Sequence, residues 1–185
     1  EFRRVLFRSL FNTLNNLYAL TLKKSDKAPE IVLKLSEIMR YMLYECNERR
    51  VLLSKEIQYI HNYLDLERLR QPKDADITFT TQGHISEQMV APLLFVPFLE
   101  NSFKHGASGT TGDVEIRIQL TLRERELCFL VRNTVDNDIE IPAVIHLNGS
   151  GIGLKNVQRQ LDLLYPGQYD LHTGKENGFF TAELK

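Results

Sequence analysis

Between residues 114 and 131 the chain alternates so strictly that few architectures remain open to it. Val114, Ile116, Ile118, Leu120 and Leu122 take every second position, the charged turn Arg123-Glu124-Arg125-Glu126 follows, and Leu127, Phe129 and Val131 resume the alternation. A period of two puts all the apolar side chains of a strand on one side, so the pattern predicts an antiparallel hairpin with one covered face. Asn133 continues the inward phase of the second strand. A buried amide must find partners, so Asn133 is either satisfied by backbone or placed to read a ligand.

The amino-terminal part has a different period. Leu10, Leu14, Leu17 and Thr21 recur at three and four, which predicts an amphipathic helix to about Lys24. Ser25 or Asp26 is placed to cap a second helix, with Pro29 and Glu30 in its first turn. Its stripe is Ile31, Leu35, Ile38, Met39, Met42, Leu43 and Cys46. Two helices joined by a short polar link form a hairpin that buries little area alone, so pairing with a second copy into a four-helix bundle is expected. Beyond Asn47 to Arg50, Ser54 is expected to cap a third helix carrying Ile57, Ile60 and Leu64. Pro72 and Lys73-Asp74-Ala75-Asp76 end that helix, and a domain boundary is expected there, with a helical region over 10–75 and a second domain over 76–185.

Within 76–185, Ile77 and Phe79 alternate with threonines as a half-buried strand that Gly83 stops. A helix follows, opened by Pro92 and bent or restarted at Pro97. Leu94, Phe95, Phe98, Leu99 and Ser102 fall on one of its stripes, and Asn101, Lys104 and His105 on another that a nucleotide would suit. Val135 to Asn148 is polar, aperiodic and interrupted by Pro142, either a lid over a ligand or an ordinary surface excursion. Then comes Gly149-Ser150-Gly151-Ile152-Gly153-Leu154-Lys155-Asn156, which leads into a helix with Val157, Leu161 and Leu164 in phase. Bare N–H groups at a helix start suit a phosphate chain, although the same glycines also serve tight packing. Tyr165-Pro166-Gly167 stops the helix, and Gly178 to Leu184 closes the sheet with Phe180, Ala182 and Leu184 in phase.

A net charge of −1 over 185 residues gives no long-range attraction for nucleic acid or anionic membrane. Cys46 and Cys128 lack metal-ligand spacing and are expected to be reduced thiols in a cytosolic protein, with no zinc site. No apolar run approaches the ~20 residues that cross a bilayer. Residues 1–9, Glu-Phe-Arg-Arg-Val-Leu-Phe-Arg-Ser, are basic and carry no cap; they match a translated sequencing adapter and are expected to be non-native.

Three segments, in order, carry a family resemblance. Leu10-Phe11-Asn12-Thr13-Leu14-Asn15 is similar to the tail of the motif N-P-H-F-L-F-N, which opens the dimerisation and phosphoacceptor helices of LytS-type sensor histidine kinases. Pro97 to Gly106 resembles the family's N box, and Gly149 to Asn156 with Arg159-Gln160-Leu161 and Tyr165 resembles its second glycine box. The resemblance covers essentially everything from Leu10 onward. It implies an α+β chain: a helical hairpin that dimerises, then the Bergerat-type ATP-binding α/β sandwich shared with gyrase and MutL, in which helices cover one face of a mixed sheet.

By that resemblance ATP and Mg²⁺ are the cofactors. Asn101 would hold Mg²⁺ bridging the phosphates, Glu100 would assist as a polarising carboxylate, and Lys104 and His105 would lie near the phosphate tail. Asn133 stands where the superfamily carries an Asp that accepts from the adenine amino group. Gly149, Gly151 and Gly153, with Ile152 and Leu154 between and after them, would line the lid hinge and the phosphate end. The implied partners are a second copy through the helices and the receiver domain of a response regulator of LytTR type, and the full-length relatives are membrane-attached. Two departures stand out. The D-x-G-x-G that usually follows the Asn133 strand is replaced by Asn133-Thr134-Val135-Asp136, and Phe7-Arg8-Ser9 stands where the phosphoacceptor His belongs. The chain as given is therefore expected to bind ATP without phosphorylating itself on the family's histidine. A nucleotide-binding scaffold without kinase activity is the alternative, and the Asn12-bearing hairpin argues against an ATPase or protein-serine kinase.

Overall fold

The computed structural model describes residues 14–15, 17–18, 21–22, 24, 26–71, 74–106, 114–135 and 152–185, with backbone alone at 105–106 and 152–156. The described residues between 14 and 22 are helical, as the spacing predicts. Helix α1 runs over Ala28–Arg40 and is prolonged by a π-helical turn at Tyr41–Glu45. Its amino-terminal cap position is Lys27, with no side chain capping, so Asp26 does not take the role expected of it; Ser25 lies outside the described residues. Pro29, already shaped for a first turn and needing no N–H partner, starts the helix without that help.

Ile31, Leu35, Ile38 and Tyr41 are buried, and α1 packs along helix α2, Leu53–Arg68. Lys34 pairs with Asp65, and the Asn62 side-chain amide donates to Glu37 Oε2 at 2.7 Å across the same contact. Met39 and Leu43, expected on the buried stripe, are 39% and 61% exposed. Tyr41 follows Ile38 at ordinary helical spacing and stays inward, whereas the π-helical turn that begins there is wider than an α turn and leaves Leu43 facing out; Met39 lies ahead of that turn, at the edge of the stripe.

Strand β1, Val51–Leu52, pairs antiparallel with β3, Met89–Val90. The Leu53 N–H donates to Gln88 O at 2.7 Å, so this pairing fixes how the chain enters α2. Leu52 consequently takes the cap position and Ser54 falls inside the first turn, correcting the expectation for Ser54.

The main sheet has the order β2-β4-β5-β7-β6. Its strands are β2 Asp76–Gln82, β4 Glu115–Arg123, β5 Glu126–Thr134, β6 Leu171–Glu176 and β7 Phe179–Leu184. β2 runs parallel to β4 and the remaining pairs are antiparallel, so the sheet is mixed. The alternation predicted for β4 and β5 is realised: Ile116, Ile118, Leu120, Phe129 and Val131 are buried. Gly83 ends β2 with φ +103°, and a Cβ there would meet Leu122 O at 2.1 Å, so no other residue fits that bend. β6 was not anticipated; Leu171-His172-Thr173-Gly174-Lys175-Glu176 is an edge strand without apolar alternation. Asn177 and Gly178, both at positive φ, turn it into β7.

Helix α3, Val96–Gly106, lies on β4 and β5 and beside helix α4, Ile152–Leu164. Phe129 of β5 meets Phe95 at 4.5 Å and Phe98 at 5.8 Å between ring centroids. On the far side of α3, Tyr63 of α2 meets Phe103 at 6.0 Å. Arg68 of α2 also donates to Ile77 O at 3.0 Å. One continuous apolar core thus runs from Ile31 to Leu184, across the 71–75 connection.

Candidate nucleotide site

Helix α3 exists because its apolar stripe has somewhere to go. The helix begins at Val96 and not at Pro92 as expected, so Leu94 and Phe95 precede it in a bend; they are buried, as are Phe98, Leu99 and Ser102 on the helix, and Pro97 sits harmlessly in the first turn. Ser102 donates its hydroxyl to Leu99 O at 2.7 Å, which lets a polar residue ride on the buried stripe. The opposite stripe carries Asn101, half-buried, and Lys104, exposed. His105 closes the helix; its side chain lies outside what is described.

Glu100 stands between the two stripes. Its Oε1 is buried and has no hydrogen-bond partner. Burial, and then the negative charge of Glu67 on α2, push its carboxyl up to about 7. Glu67 is itself buried and receives a hydrogen bond from Arg70 at 2.7 Å. The carboxyl of Glu100 is therefore poised to hold or release a proton near neutrality.

Asn133 lies near the end of β5, opposite Ile116 of β4 and Phe180 of β7, and is 1% exposed. Its amide nitrogen donates to Thr134 O at 2.9 Å, while Oδ1 is buried with no partner. The amide oxygen that a ligand's amino group would need is thus unspent. Helix α3 packs on β5, the strand that carries Asn133, and on α4, the helix that the glycine run enters. Ile152, Gly153 and Leu154 form the first turn of α4, with their side chains outside the description. Gly149 and Gly151, and nearly all of the expected lid, fall on residues 136–151, outside the described residues.

Sequence spacing missed the support behind α3. Glu56, Tyr59, Tyr63 and Glu67 recur at three and four along α2 and are all buried. Glu56 Oε1 accepts from the Tyr41 hydroxyl and from the Leu93 N–H at 2.7 Å. Its Oε2 has no hydrogen-bond partner, although the N–H groups of Leu94 and Phe95 lie near enough to favour the charged form. Burial outweighs these and raises the carboxyl to about 7. Two glutamates in phase with an apolar stripe were the available signal.

An open cleft of about 980 Å³ lies elsewhere, lined by Arg50, Leu94, Leu122, Leu161, Tyr165 and Lys185 among others. It borders the β4–β5 turn, at the opposite end of β5 from Asn133, and holds neither Asn101 nor Glu100. Among the described residues no group of three or more His, Cys, Asp or Glu side chains could hold a metal ion, and no helix is long and apolar enough to cross a membrane. The donor set at α3 nonetheless fits Mg²⁺ bound through phosphates, which asks the protein for only one or two oxygens. The unspent Asn133 Oδ1 fits the amino group of a nucleobase.

Residues 9–75 match the family model described as Histidine kinase. Over 165 residues the chain is 27% identical to Sensor protein LytS of Enterococcus faecalis, covering 84% of this chain and 28% of that protein. Over 174 residues it is 29% identical to Sensor histidine kinase BtsS of Escherichia coli, covering 93% of this chain and 30% of that protein. The chain thus spans under a third of the length of these curated relatives. Among solved structures, its fold is similar to the catalytic domain of histidine kinase ThkA, with a TM-score of 0.54 and 10% identity over 73% of this chain and 92% of that one. It is also similar to the histidine kinase domain of the blue-light activated kinase EL346 of Erythrobacter litoralis, with a TM-score of 0.53 and 12% identity over 96% and 89%.

Proposed function

We propose that this chain, a relative of the LytS-type sensor histidine kinases, is the ATP-binding core of such a kinase: it binds ATP with Mg²⁺ and supplies the γ-phosphoryl group to a histidine, from which it passes to an aspartate of a response regulator. The observation that carries the reading is the buried, unspent Oδ1 of Asn133, on the strand against which the Glu100–Asn101 helix packs.

In this reading Asn133 accepts from the adenine amino group and Asn101 offers its amide oxygen to Mg²⁺. When bound, the metal neutralises charge on the phosphates. Glu100 orients or takes up the proton of the attacking group, a task for which a carboxyl titrating near 7 is matched. By the family resemblance, Lys104 and His105 would serve the phosphate tail, and Gly149, Gly151, Ile152, Gly153 and Leu154 would line the lid hinge and the phosphate end. The aromatic and aliphatic packing of α3 against β5 keeps these groups positioned, which is the protein's main contribution to phosphoryl transfer.

Exposed Leu33, Leu43 and Tyr44 on α1 and its π-helical turn support homodimerisation through the helical region. The receiver domain of a LytTR-type regulator is the proposed phosphoryl acceptor, and the full-length protein is proposed to be membrane-attached with this part in the cytoplasm. A nucleotide-binding scaffold is the second reading, favoured by Asn133 in place of an acid and by Asn133-Thr134-Val135-Asp136 in place of D-x-G-x-G. The two separate on one experiment. A chain carrying Leu6→Asn, Phe7→Pro, Arg8→His and Ser9→Phe acquires acid-labile label from ATP and Mg²⁺ if the kinase reading holds, whereas nucleotide binding with no labelling favours the scaffold.

A further inference from the structure

Glu56 is a carboxylate at 0% exposure that joins three elements. It is carried by α2, accepts from the Tyr41 hydroxyl at the end of α1, and accepts from the Leu93 N–H just ahead of α3. Both partners sit at irregular points of the chain, Tyr41 with α-helical dihedrals (φ −57°, ψ −47°) where the hydrogen-bond pattern widens, and Leu93 at positive φ. Tyr41 is the first residue of the π-helical turn, a rare geometry that costs packing and recurs at functional sites. Leu93, buried, has φ +56°, a left-handed conformation that a residue with a branched side chain adopts only when its surroundings hold it there. Three residues on, α3 begins, and it carries Glu100 and Asn101. Tyr41 also packs its ring on Tyr59 at 5.0 Å, so the hydroxyl is aimed by the core.

From this geometry we infer that Tyr41 and Glu56 are positioning residues that couple α1 to the start of the helix bearing Glu100 and Asn101. A displacement of the helical region is thereby transmitted to the nucleotide site. The inference rests on the nucleotide reading given above. Its mechanism is local: if α1 shifts or rotates at its π-helical turn, the Tyr41 hydroxyl leaves Glu56, the carboxylate loses one of its two donors, and Leu93 is freed to relax out of its left-handed conformation. The first turn of α3 then moves relative to β5. The coupling needs no contact between α1 and the nucleotide.

The test uses the full chain with four substitutions. Tyr41→Phe keeps the ring and removes the donor. Glu56→Leu removes the acceptor, and Glu56→Gln restores a neutral one. Ile38→Val trims the same helix in the core while leaving the hydroxyl in place. Affinity for ATP with Mg²⁺ is read by calorimetry, and amide hydrogen exchange is followed over residues 93–101. Tyr41→Phe is expected to weaken binding roughly three- to tenfold, about the worth of one hydrogen bond, and to speed exchange over 93–101. Glu56→Leu does the same, Glu56→Gln recovers most of the loss, and the Tyr41→Phe/Glu56→Leu pair is no worse than the worse single change. Ile38→Val leaves both readouts at their starting values. The inference is overturned if Tyr41→Phe behaves like Ile38→Val, or if the paired losses simply multiply. If the unaltered chain takes up no nucleotide, the functional reading falls instead, and the exchange contrast between Tyr41→Phe and Ile38→Val still decides the coupling.

Discussion

A buried amide oxygen without a partner costs a protein about 1–3 kcal/mol, and Asn133 carries that cost at the end of a central strand. The inward phase of the strand gives no reason for it, since an apolar side chain branched in the same way would keep that phase without an unpaired oxygen. The account therefore predicts a trade at this position. Asn133→Leu should leave the unfolding free energy of the nucleotide-free chain unchanged within about 1 kcal/mol, or raise it. The same change should weaken ATP binding at least tenfold, roughly the cost of leaving a ligand donor unpaired. Denaturant melts with and without nucleotide check both halves. A large loss of stability would mean that Asn133 serves the sheet and no ligand. Asn133 was legible in the sequence because it kept the inward phase of a strict alternation. Its open oxygen was not, because partner satisfaction depends on what the neighbouring strands present.

The elements divide according to whether one period governs them. β4 and β5 were legible because every second residue is apolar over both strands, and α3 because its stripe is unbroken. β6 was not, since an edge strand is defined by its pairing with β7 more than by its side chains. Ser54 failed as a cap because β1–β3 pairing set the start of α2, and Leu43 failed as a core residue because a π-helical turn changed the phase. The burial of Glu56 was likewise decided by what packs on α2 from both sides. That burial has a pH signature. In the folded chain Glu56 titrates near 7 against about 4.5 when unfolded, so the folded state binds the extra proton between those values. The stabilising contribution is full below about pH 4.5 and is lost as pH rises through 7. Glu100 adds to the same slope. Urea melts across this window should show stability falling with pH, and Glu56→Gln should flatten the fall by up to roughly 3 kcal/mol, from 1.36 kcal/mol per unit of pKa. A slope unchanged by that substitution would contradict the burial assigned to Glu56.

At the scale of the whole molecule, the helical region serves two surfaces. One side of α1 is spent on α2, while Val32, Leu33, Leu43 and Tyr44 on the helix and its π-helical turn remain exposed. Leu33→Glu with Leu43→Glu should convert a dimer to a monomer in sedimentation without disturbing the mixed sheet; a monomeric parent chain would remove the basis for the homodimer. The order of helical region, sheet and covering helices was legible from the family resemblance, and the fold similarity to histidine kinase domains agrees with it. The continuity of the core across the 71–75 connection was not legible, because a polar, proline-bearing link looks the same whether or not its neighbours pack together. The claim on which the rest depends is that α3, β5 and the start of α4 jointly form a nucleotide site. Its most direct test is a calorimetric titration of the chain with ATP and Mg²⁺, beside Asn101→Ala. The account predicts saturable binding that chelating the metal weakens, and an Asn101→Ala chain for which added metal makes no difference; no saturable binding, or an Asn101→Ala chain that keeps full metal-dependent affinity, would contradict it.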